Sequence, residues 1–223
     1  MCPIDDPEWK HNNPGLRNNN PIRKNFVPEP LFLESLYSKY GIERSHADNV
    51  ARNALELFDL LAPIHGLDRK YRRLMEIAAL VHDTGISTDL DQHHKAGRDI
   101  LFRHPPAELP EQLRPVVAWT AFLHRKKAGA KKLEKLRKTS FEEMPEEIQE
   151  ITLKIAALLR LADALDYSRM ESRLGNSKFG KKSVVFEIKG PGAAIDAERM
   201  EKKGDLWHLL FDTKLEFRPE SKK

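Results

Sequence analysis

Histidines and aspartates recur at the ends of apolar segments of this sequence, or inside them. His82 and Asp83 close the run "IAALVHDTG", and Asp163 interrupts "IAALLRLADAL". A buried carboxylate without a partner is strongly unfavourable. Two such aspartates, with histidines on separate helices, need a common counter-charge, and a divalent metal ion supplies one. The histidines that lie at the ends of other predicted helices are His46, His93, His94 and His124.

The donor set limits which metal ion could bind. Imidazole nitrogen and carboxylate oxygen, without thiolate, suit Mn, Fe, Zn, Ni or Co, and suit Mg less well. Each residue alone has an ordinary alternative. A single histidine in such a place usually makes a structural hydrogen bond, and Asp163 could pair with Arg160 or Arg52. The joint pattern favours the metal, with Asp83 bound to it.

Composition narrows the class of protein. The chain has 223 residues, of which 40% are hydrophobic and 32% are charged, and this is enough for one large domain and a small appendage. Its net charge of +4 supports a moderate attraction to anions but does not identify a nucleic-acid binder. Cys2 is the single cysteine, which excludes a disulfide framework and a thiolate zinc site. No signal peptide or membrane-length apolar run is visible, so we expect a cytoplasmic protein.

Apolar residues at spacings of three and four predict a bundle of helices over residues 28–175. Gly41 and Gly85 are the expected ends of two helices, and Ser45 and Asp68 are expected N-caps. Pro115 is expected in the first turn of the helix that contains "VVAWTAFLH". Residues 1–27 are rich in Asn and Pro and predict an arm that orders only against a partner or the main body.

The pattern changes after about Asn176. "KSVVFEIKG" and "TKLEFRP" are typical of strands, and "DAERMEKKGDLWHLLF" between them is typical of a helix despite Gly204. We therefore predict a mainly α protein, with a helical bundle followed by a small β-α-β appendage over residues 180–219. The two strands of such a unit would be parallel, or would close a small sheet with partners that the sequence does not identify.

The order His46, then His82 and Asp83, then Asp163 resembles the H…HD…D signature of the HD superfamily of metal-dependent phosphohydrolases. "HADNVARNALELFDLL", "EIAALVHDTG", "HHKAGRDIL", "AFLHRKK" and "ALLRLADALDYSR" are similar to the C-terminal HD domain of the exopolyphosphatase / guanosine pentaphosphate phosphatase family. That family also has an actin-like ATPase-type domain, which hydrolyses polyphosphate. The sequence has no glycine-rich phosphate loop, so we expect an isolated HD module.

The resemblance implies a set of metal ligands and one or two divalent ions. Asp83 would bridge two metals, and His94 competes with His93 as a ligand of the second one. If no second metal binds, His93 or His124 is available to contact phosphate. The residues that match the motif are His46, His82, Asp83 and Asp163, and those that would complete a second position are His93 and His124.

Metal ions lower the pKa of bound water and polarise a phosphoryl oxygen, so the implied reaction is phosphate ester or phosphoanhydride hydrolysis. The expected catalytic residues are His82, Asp83 and Arg160. The cations expected to bind phosphate are Arg125, Lys126, Lys127 and, again, Arg160. A structural salt bridge is the alternative for Arg160, and a solvated surface is the alternative for the two lysines. The basic stretch "HRKKAGAKKLEKLRK" contains no aromatic residue, so nucleic acid is possible as a partner but is not favoured.

Two functions follow from these observations. The first is a metal-dependent phosphohydrolase, either a phosphomonoesterase or a phosphodiesterase, that acts on a nucleotide, polyphosphate or another phosphorylated substrate. The second is a non-catalytic regulatory module that binds a polyanion or guanosine tetra- or pentaphosphate, or pairs with a separate exopolyphosphatase. The complete ligand set favours the enzyme. The arm and the appendage could both serve a homodimer.

Overall fold

The structure, a computed structural model, describes residues 27–220 and is mainly helical with a small sheet near the C-terminus. The fold class predicted from the sequence is therefore confirmed. The predicted arm lies outside the described residues, except for Val27. The α-helices are α1 (Leu33–Tyr40), α2 (Arg44–Leu60), α3 (Ala62–His65), α4 (Arg72–Val81), α5 (His93–Arg103), α6 (Arg114–Leu123), α7 (Ala130–Leu136), α8 (Glu146–Leu165), α9 (Ala193–Lys203) and α10 (Asp205–Leu210).

Helix α8 is the central element of the fold. It packs against α2, α4, α6, α9 and α10. Every residue from Ile155 to Leu165 is buried except Asp163, which is partly exposed. Such a helix is apolar on all sides because other elements surround it. Asp163 thus lies in the last turn of this helix, at the edge of the core, where a mostly buried carboxylate needs a partner.

The C-terminal sheet has three strands in the order β1 (Arg173–Phe179), β2 (Ser183–Lys189) and β3 (Lys214–Pro219). Strands β2 and β3 are parallel and are joined through α9 and α10, so the predicted β-α-β connection is confirmed. Strand β1 pairs antiparallel with β2 and was not predicted. Its sequence "RLGNSKF" has only one buried residue, Leu174, and contains Gly and Asn, which are rare in strands.

Several helix boundaries differ from those predicted. Helix α2 begins at Arg44 with Glu43 at its N-cap, so Ser45 is not the cap. Helix α4 ends at Val81, four residues before Gly85. Gly204 separates α9 from α10 because glycine weakens a helix interior. The predictions at Gly41 and Asp68 are confirmed, since Gly41 ends α1 in the left-handed conformation and the Asp68 carboxylate accepts from the Lys70 amide.

The sheet and the bundle share one hydrophobic core. Phe186 of β2 and Phe217 of β3 stack with ring centroids 5.7 Å apart, and α9 lies against both the sheet and α8. The division of the chain at residues 175–180 stays a prediction from sequence. No helix within residues 27–220 is long and apolar enough to span a membrane.

Candidate metal centre

The six residues predicted as metal ligands surround one point in the structure. They come from the start of α2, the turn after α4, the start of α5, the end of α6 and the interior of α8. Asp83 lies between two pairs of histidines. Its Oδ2 atom is 3.7 Å from His46 Nε2 and 3.4 Å from His82 Nε2. Its Oδ1 atom is 3.4 Å from His93 Nε2 and 3.5 Å from His124 Nε2.

Backbone carbonyls set the orientation of three of these imidazoles. The Nδ1 atom of each ring lies near the carbonyl oxygen three residues earlier, at 2.7 Å for His82, 2.9 Å for His93 and 2.5 Å for His124. A carbonyl oxygen only accepts, so Nδ1 of His82 and His124 must carry the hydrogen. At His93 the Nη1 atom of Arg125, which only donates, also lies 2.9 Å from Nδ1. In neutral His82 and His124, Nε2 then presents a lone pair to the centre, which is the form that binds metal.

The fourth imidazole is oriented by Asp166, a residue that the sequence analysis missed. His46 Nδ1 lies 2.7 Å from Asp166 Oδ2, and Asn49 donates to the other carboxylate oxygen at 3.3 Å. Asp166 is 1% exposed, and burial raises its pKa to about 6. A carboxylate behind a metal-binding histidine fixes its tautomer and its direction. The spacing in "ADALD" was the available signal, because Asp166 follows Asp163 by almost one helical turn.

The separations at the centre fit a shared metal ion. Two ligand atoms that each lie ~2.1 Å from one ion stand roughly 3.0–3.5 Å apart at octahedral or tetrahedral angles. His93 Nε2 and His124 Nε2 are 3.3 Å apart, a separation that fits two ligands of one ion. The buried Nε2 atoms of His46 and His82 have no hydrogen-bond partner, which a native protein rarely tolerates without reason.

Two groups of residues can therefore hold a metal ion, and they share Asp83. Asp163 extends the first group, since its Oδ1 atom is 3.5 Å from His46 Nε2 and 3.8 Å from His82 Nε2. We call these groups the first position (His46, His82, Asp83 and Asp163) and the second position (Asp83, His93 and His124).

The electrostatics of the centre favour a cation. Burial by itself lowers the pKa of His82, but the negative charges of Asp83 and Asp163 outweigh it and raise the pKa to about 9. Burial raises the pKa of both aspartates, yet the neighbouring histidines bring it below its ordinary value. Burial lowers the pKa of His124 to about 4 against the opposing pull of Asp83. The first position thus has the stronger affinity for positive charge.

Gly85 allows the second position to form. A Cβ atom on this residue would lie 2.1 Å from the carbonyl oxygen of His93 and 2.4 Å from the amide nitrogen of Gly97. Only glycine lets the turn after α4 approach α5 this closely. The close packing of this turn on α5 places His93 Nε2 3.4 Å from Asp83 Oδ1. Gly85 is thus a close-contact residue rather than the helix end that the sequence predicted.

His94, the competing choice for His93, is not in either group. Its ring lies 5.6 Å from that of Phe122, and its buried Nδ1 atom has no hydrogen-bond partner. Burial, with the charge of Lys132 as the next cause, lowers its pKa to about 2. Between the two histidines, the structure brings His93 to the centre.

Arg160 is buried beside the centre and is engaged at each of its nitrogens. Its Nη1 atom donates to the carbonyl oxygens of Leu123 at 2.7 Å and His124 at 3.1 Å, and Nε and Nη2 donate to Asp205 Oδ1 at 3.1 and 2.5 Å. The side chain is 1% exposed. Contact between Arg160 and a phosphate would require some of these bonds to break.

Two lysines join Arg160 at the carbonyl end of α6. Lys203 of α9 donates to the His124 carbonyl at 2.8 Å, and Lys132 of α7 donates to the Arg125 carbonyl at 3.1 Å. Asp205 also accepts from the amide of Ala128 at 2.7 Å. Cations favour the carbonyl end of a helix, where the backbone dipoles are negative. We call Lys132, Arg160, Lys203 and Asp205 the capping cluster. Its contacts with the backbone at His124 were not predicted from the sequence.

The other predicted phosphate-binding cations lie just after His124. Arg125 donates to the carbonyls of Leu90 and Asp91 at 2.9 and 3.0 Å, in the loop before His93. Lys126 and Lys127 are exposed. No contact of these two lysines reaches the six ligands, and their role in anion binding stays a prediction.

Comparison with known proteins agrees with this reading at the level of family. No curated protein sequence matches the chain. A family model described as "Ppx/GppA phosphatase, domain III" matches residues 32–215, which include all six candidate ligands, the capping cluster and most of the sheet. The match spans most of the chain, and the protein therefore belongs to the Ppx/GppA phosphatase family, through its domain III.

Proposed function

We propose that this protein is a metal-dependent phosphohydrolase of the HD superfamily. The observation that carries the proposal is the convergence of four imidazole Nε2 atoms and two carboxylates on one buried point. The buried Nε2 atoms of His46 and His82 have no hydrogen-bond partner, and such atoms are costly unless a ligand satisfies them. The Ppx/GppA relationship supports a phosphate compound as the substrate.

The residues of the chain have distinct parts in this proposal. His46, His82 and Asp163 would hold one divalent ion, His93 and His124 would hold a second, and Asp83 would serve both. When bound, such ions polarise a phosphoryl oxygen and lower the pKa of bound water. His82 and Asp83 act as ligands, and Asp166 holds His46 in position. The role of Arg160 in this proposal is to support His124, whose carbonyl accepts from its Nη1 atom.

Mn, Fe, Ni, Zn and Co are the metals that this donor set supports best, with Mg less well suited. The proposed substrates are polyphosphate, a guanosine polyphosphate or another phosphorylated nucleotide. Arg125 supports an anionic substrate, since it places a cation beside His93.

The first experiment is elemental analysis of the untagged protein, prepared without chelator. We expect one or two equivalents of a transition metal. Hydrolysis of polyphosphate, guanosine pentaphosphate, phosphomonoesters and phosphodiesters would then be measured with that metal. A protein that takes up no metal, even from excess Mn or Ni, would contradict the proposal.

The regulatory alternative makes a different prediction in the same assays. A module that only binds would retain guanosine tetraphosphate or polyphosphate without hydrolysing it, whether metal is bound or not. Tight binding by the metal-loaded protein, with no turnover of any of these compounds, would favour the regulatory function.

A further inference from the structure

Helix α9 carries a second cation toward the metal centre. Arg199 precedes Lys203 by four residues, so the two side chains share one face of the helix, with Cβ atoms about 6 Å apart. Lys203 is close to the centre, since its Nζ atom is 3.9 Å from Asp163 Oδ2. Arg199 therefore lies about one helical turn from a candidate ligand.

Arg199 has no counter-charge in the part of the chain that the structure describes. It is partly buried, and no carboxylate of residues 27–220 forms an ion pair with it. Its Nε atom is buried and has no hydrogen-bond partner. The guanidinium instead lies over the ring of Tyr167, with Cζ 4.5 Å from the ring centroid. A partly buried cation with unused donors is unfavourable unless an anion binds to it.

Other positive charges lie close to Arg199. Lys203 is on the same face of α9, and Arg160 lies beside it, since Arg160 Nε donates to the Lys203 carbonyl at 3.3 Å. The positive charge of Arg199 acts on both of these cations. Like charges in a partly buried place repel one another, and an anion relieves that repulsion.

The centre is most exposed at Asp163, the ligand that Lys203 contacts. The side chain of Asp163 is 23% exposed, more than those of Asp83 at 13% and His93 at 11%. The remaining ligands are almost fully buried. Tyr167, which is 54% exposed, follows Asp163 by four residues. A ligand that reaches the metals past Asp163 would meet Lys203, Arg199 and Tyr167 first.

We propose that Arg199 is the principal residue of a phosphate-binding subsite beside the metal centre, with Lys203 behind it and Tyr167 holding the guanidinium in place. The subsite takes a phosphate group of the substrate other than the one that is hydrolysed. It therefore selects compounds with several linked phosphates over simple monoesters. The inference rests on the proposed function for its biological meaning, but anion binding can be measured without turnover.

The test compares Arg199→Gln with the unaltered protein, both metal-loaded and at full length, by calorimetric titration with inorganic tripolyphosphate and with orthophosphate. We expect the variant to bind tripolyphosphate about tenfold more weakly, as for the loss of one charge-assisted hydrogen-bonding group. Orthophosphate binding and metal content should change little. The salt dependence of tripolyphosphate binding should also decrease, because one cation has been removed.

Matched variants separate this role from a structural one. Lys202→Gln removes a cation of the same helix that is 62% exposed and paired with Glu198, and it should leave binding unchanged. Arg199→Lys should recover part of the affinity. Equal tripolyphosphate binding by Arg199→Gln and the unaltered protein would overturn the subsite, as would an unaltered protein that binds no tripolyphosphate. If binding depends on Arg199 but no phosphate compound is hydrolysed, the subsite stands and the enzymatic function fails.

Discussion

The two positions of the metal centre share Asp83 but are supported differently. In the first position, His46 is held by the buried carboxylate of Asp166, and the other ligands come from or follow α4 and α8. In the second position, His93 and His124 are oriented by backbone carbonyls. The second position also depends on the close approach at Gly85 and on the capping cluster.

This difference indicates that the second position depends more on the C-terminal part of the chain than the first does. The first position is built mainly by helices that pack on one another in the core, although Lys203 of α9 also lies 3.9 Å from Asp163 Oδ2. The second needs residues of α7, α9 and α10, and the last two belong to the C-terminal β-α-β connection. The C-terminal unit is thus part of the site rather than an accessory to it, and metal binding at the two positions should be separable by mutation.

Asp83→Ala should have the largest effect, because Asp83 is the one residue common to both positions. We expect loss of all bound metal and of any metal-dependent activity, measured by elemental analysis and substrate assays. His65→Ala is the matched control. His65 is buried and hydrogen-bonded to the Phe58 carbonyl at 2.8 Å, away from the six ligands, so its loss should lower stability and leave metal bound. Full metal occupancy in Asp83→Ala would refute the assignment.

Substitution of a single ligand should remove metal from one position and leave the other occupied. His46→Ala removes a ligand of the first position only, and His124→Ala removes a ligand of the second only. In a two-metal protein, each variant should retain about one equivalent, and cobalt titration followed by visible absorption should show two different residual spectra. Identical spectra, or loss of both metals in each variant, would show that the two positions do not bind independently.

The pH dependence of metal binding should also differ between the positions. The pKa of His82 is raised to about 9, so at neutral pH it holds a proton that a metal ion must displace. The pKa of His124 is lowered to about 4, so this ring is already neutral. Raising the pH from 7 to 9 should therefore strengthen binding at the first position by up to ~100-fold, at tenfold per unit. The second position should change much less.

Competition titrations with a chelator, on His124→Ala and His46→Ala separately, measure these two affinities. A first position whose affinity is flat over this pH range would mean that His82 is neutral in the metal-free protein.

Asp166→Asn should weaken the first position selectively, because an amide cannot stabilise the His46 imidazole as a carboxylate does. Loss of such a supporting group typically costs 10–100-fold in metal affinity. The affinity of the second position should stay within a factor of about two, which the same competition titration measures. An equal loss at both positions would show that Asp166 supports the whole fold rather than His46.

Asp205→Asn should produce the smallest of these effects, at the second position. It removes the charge that holds Arg160 against the carbonyl end of α6, and we expect roughly a threefold to tenfold loss of affinity there. Asp212→Asn is the matched control, since Asp212 is 86% exposed and pairs only with Lys182 on the surface. A loss confined to the first position would contradict the role of the capping cluster.

Much of the centre could be anticipated from the sequence. Buried aspartates and histidines on apolar helices need a shared cation, and the structure does bring His46, His82, Asp83, His93, His124 and Asp163 together. The parallel β-α-β connection was also predictable from alternating strand patterns. Helix ends were less predictable. Gly85 resembles a helix stop in the sequence, but glycine is required there because α5 packs too closely for a Cβ atom.

The roles of other residues of the site could not be recognised from the sequence. The sequence predicted either phosphate binding or a structural salt bridge for Arg160, and it gave no indication of Asp205 as the partner. Lys203 and Arg199 were concealed in a charged helix, "DAERMEKK", whose partner in the fold the sequence does not reveal.

The sequence by itself determined the chemistry available to this protein, because residue type and helical setting decide which groups are buried and what charge they require. The tertiary structure alone decided which cations serve that chemistry. A lysine or arginine becomes a helix cap, a structural partner or a phosphate ligand according to the atoms within about 3–4 Å of its nitrogens. Those atoms can come from distant parts of the chain, as between Lys203 and His124, which are 79 residues apart.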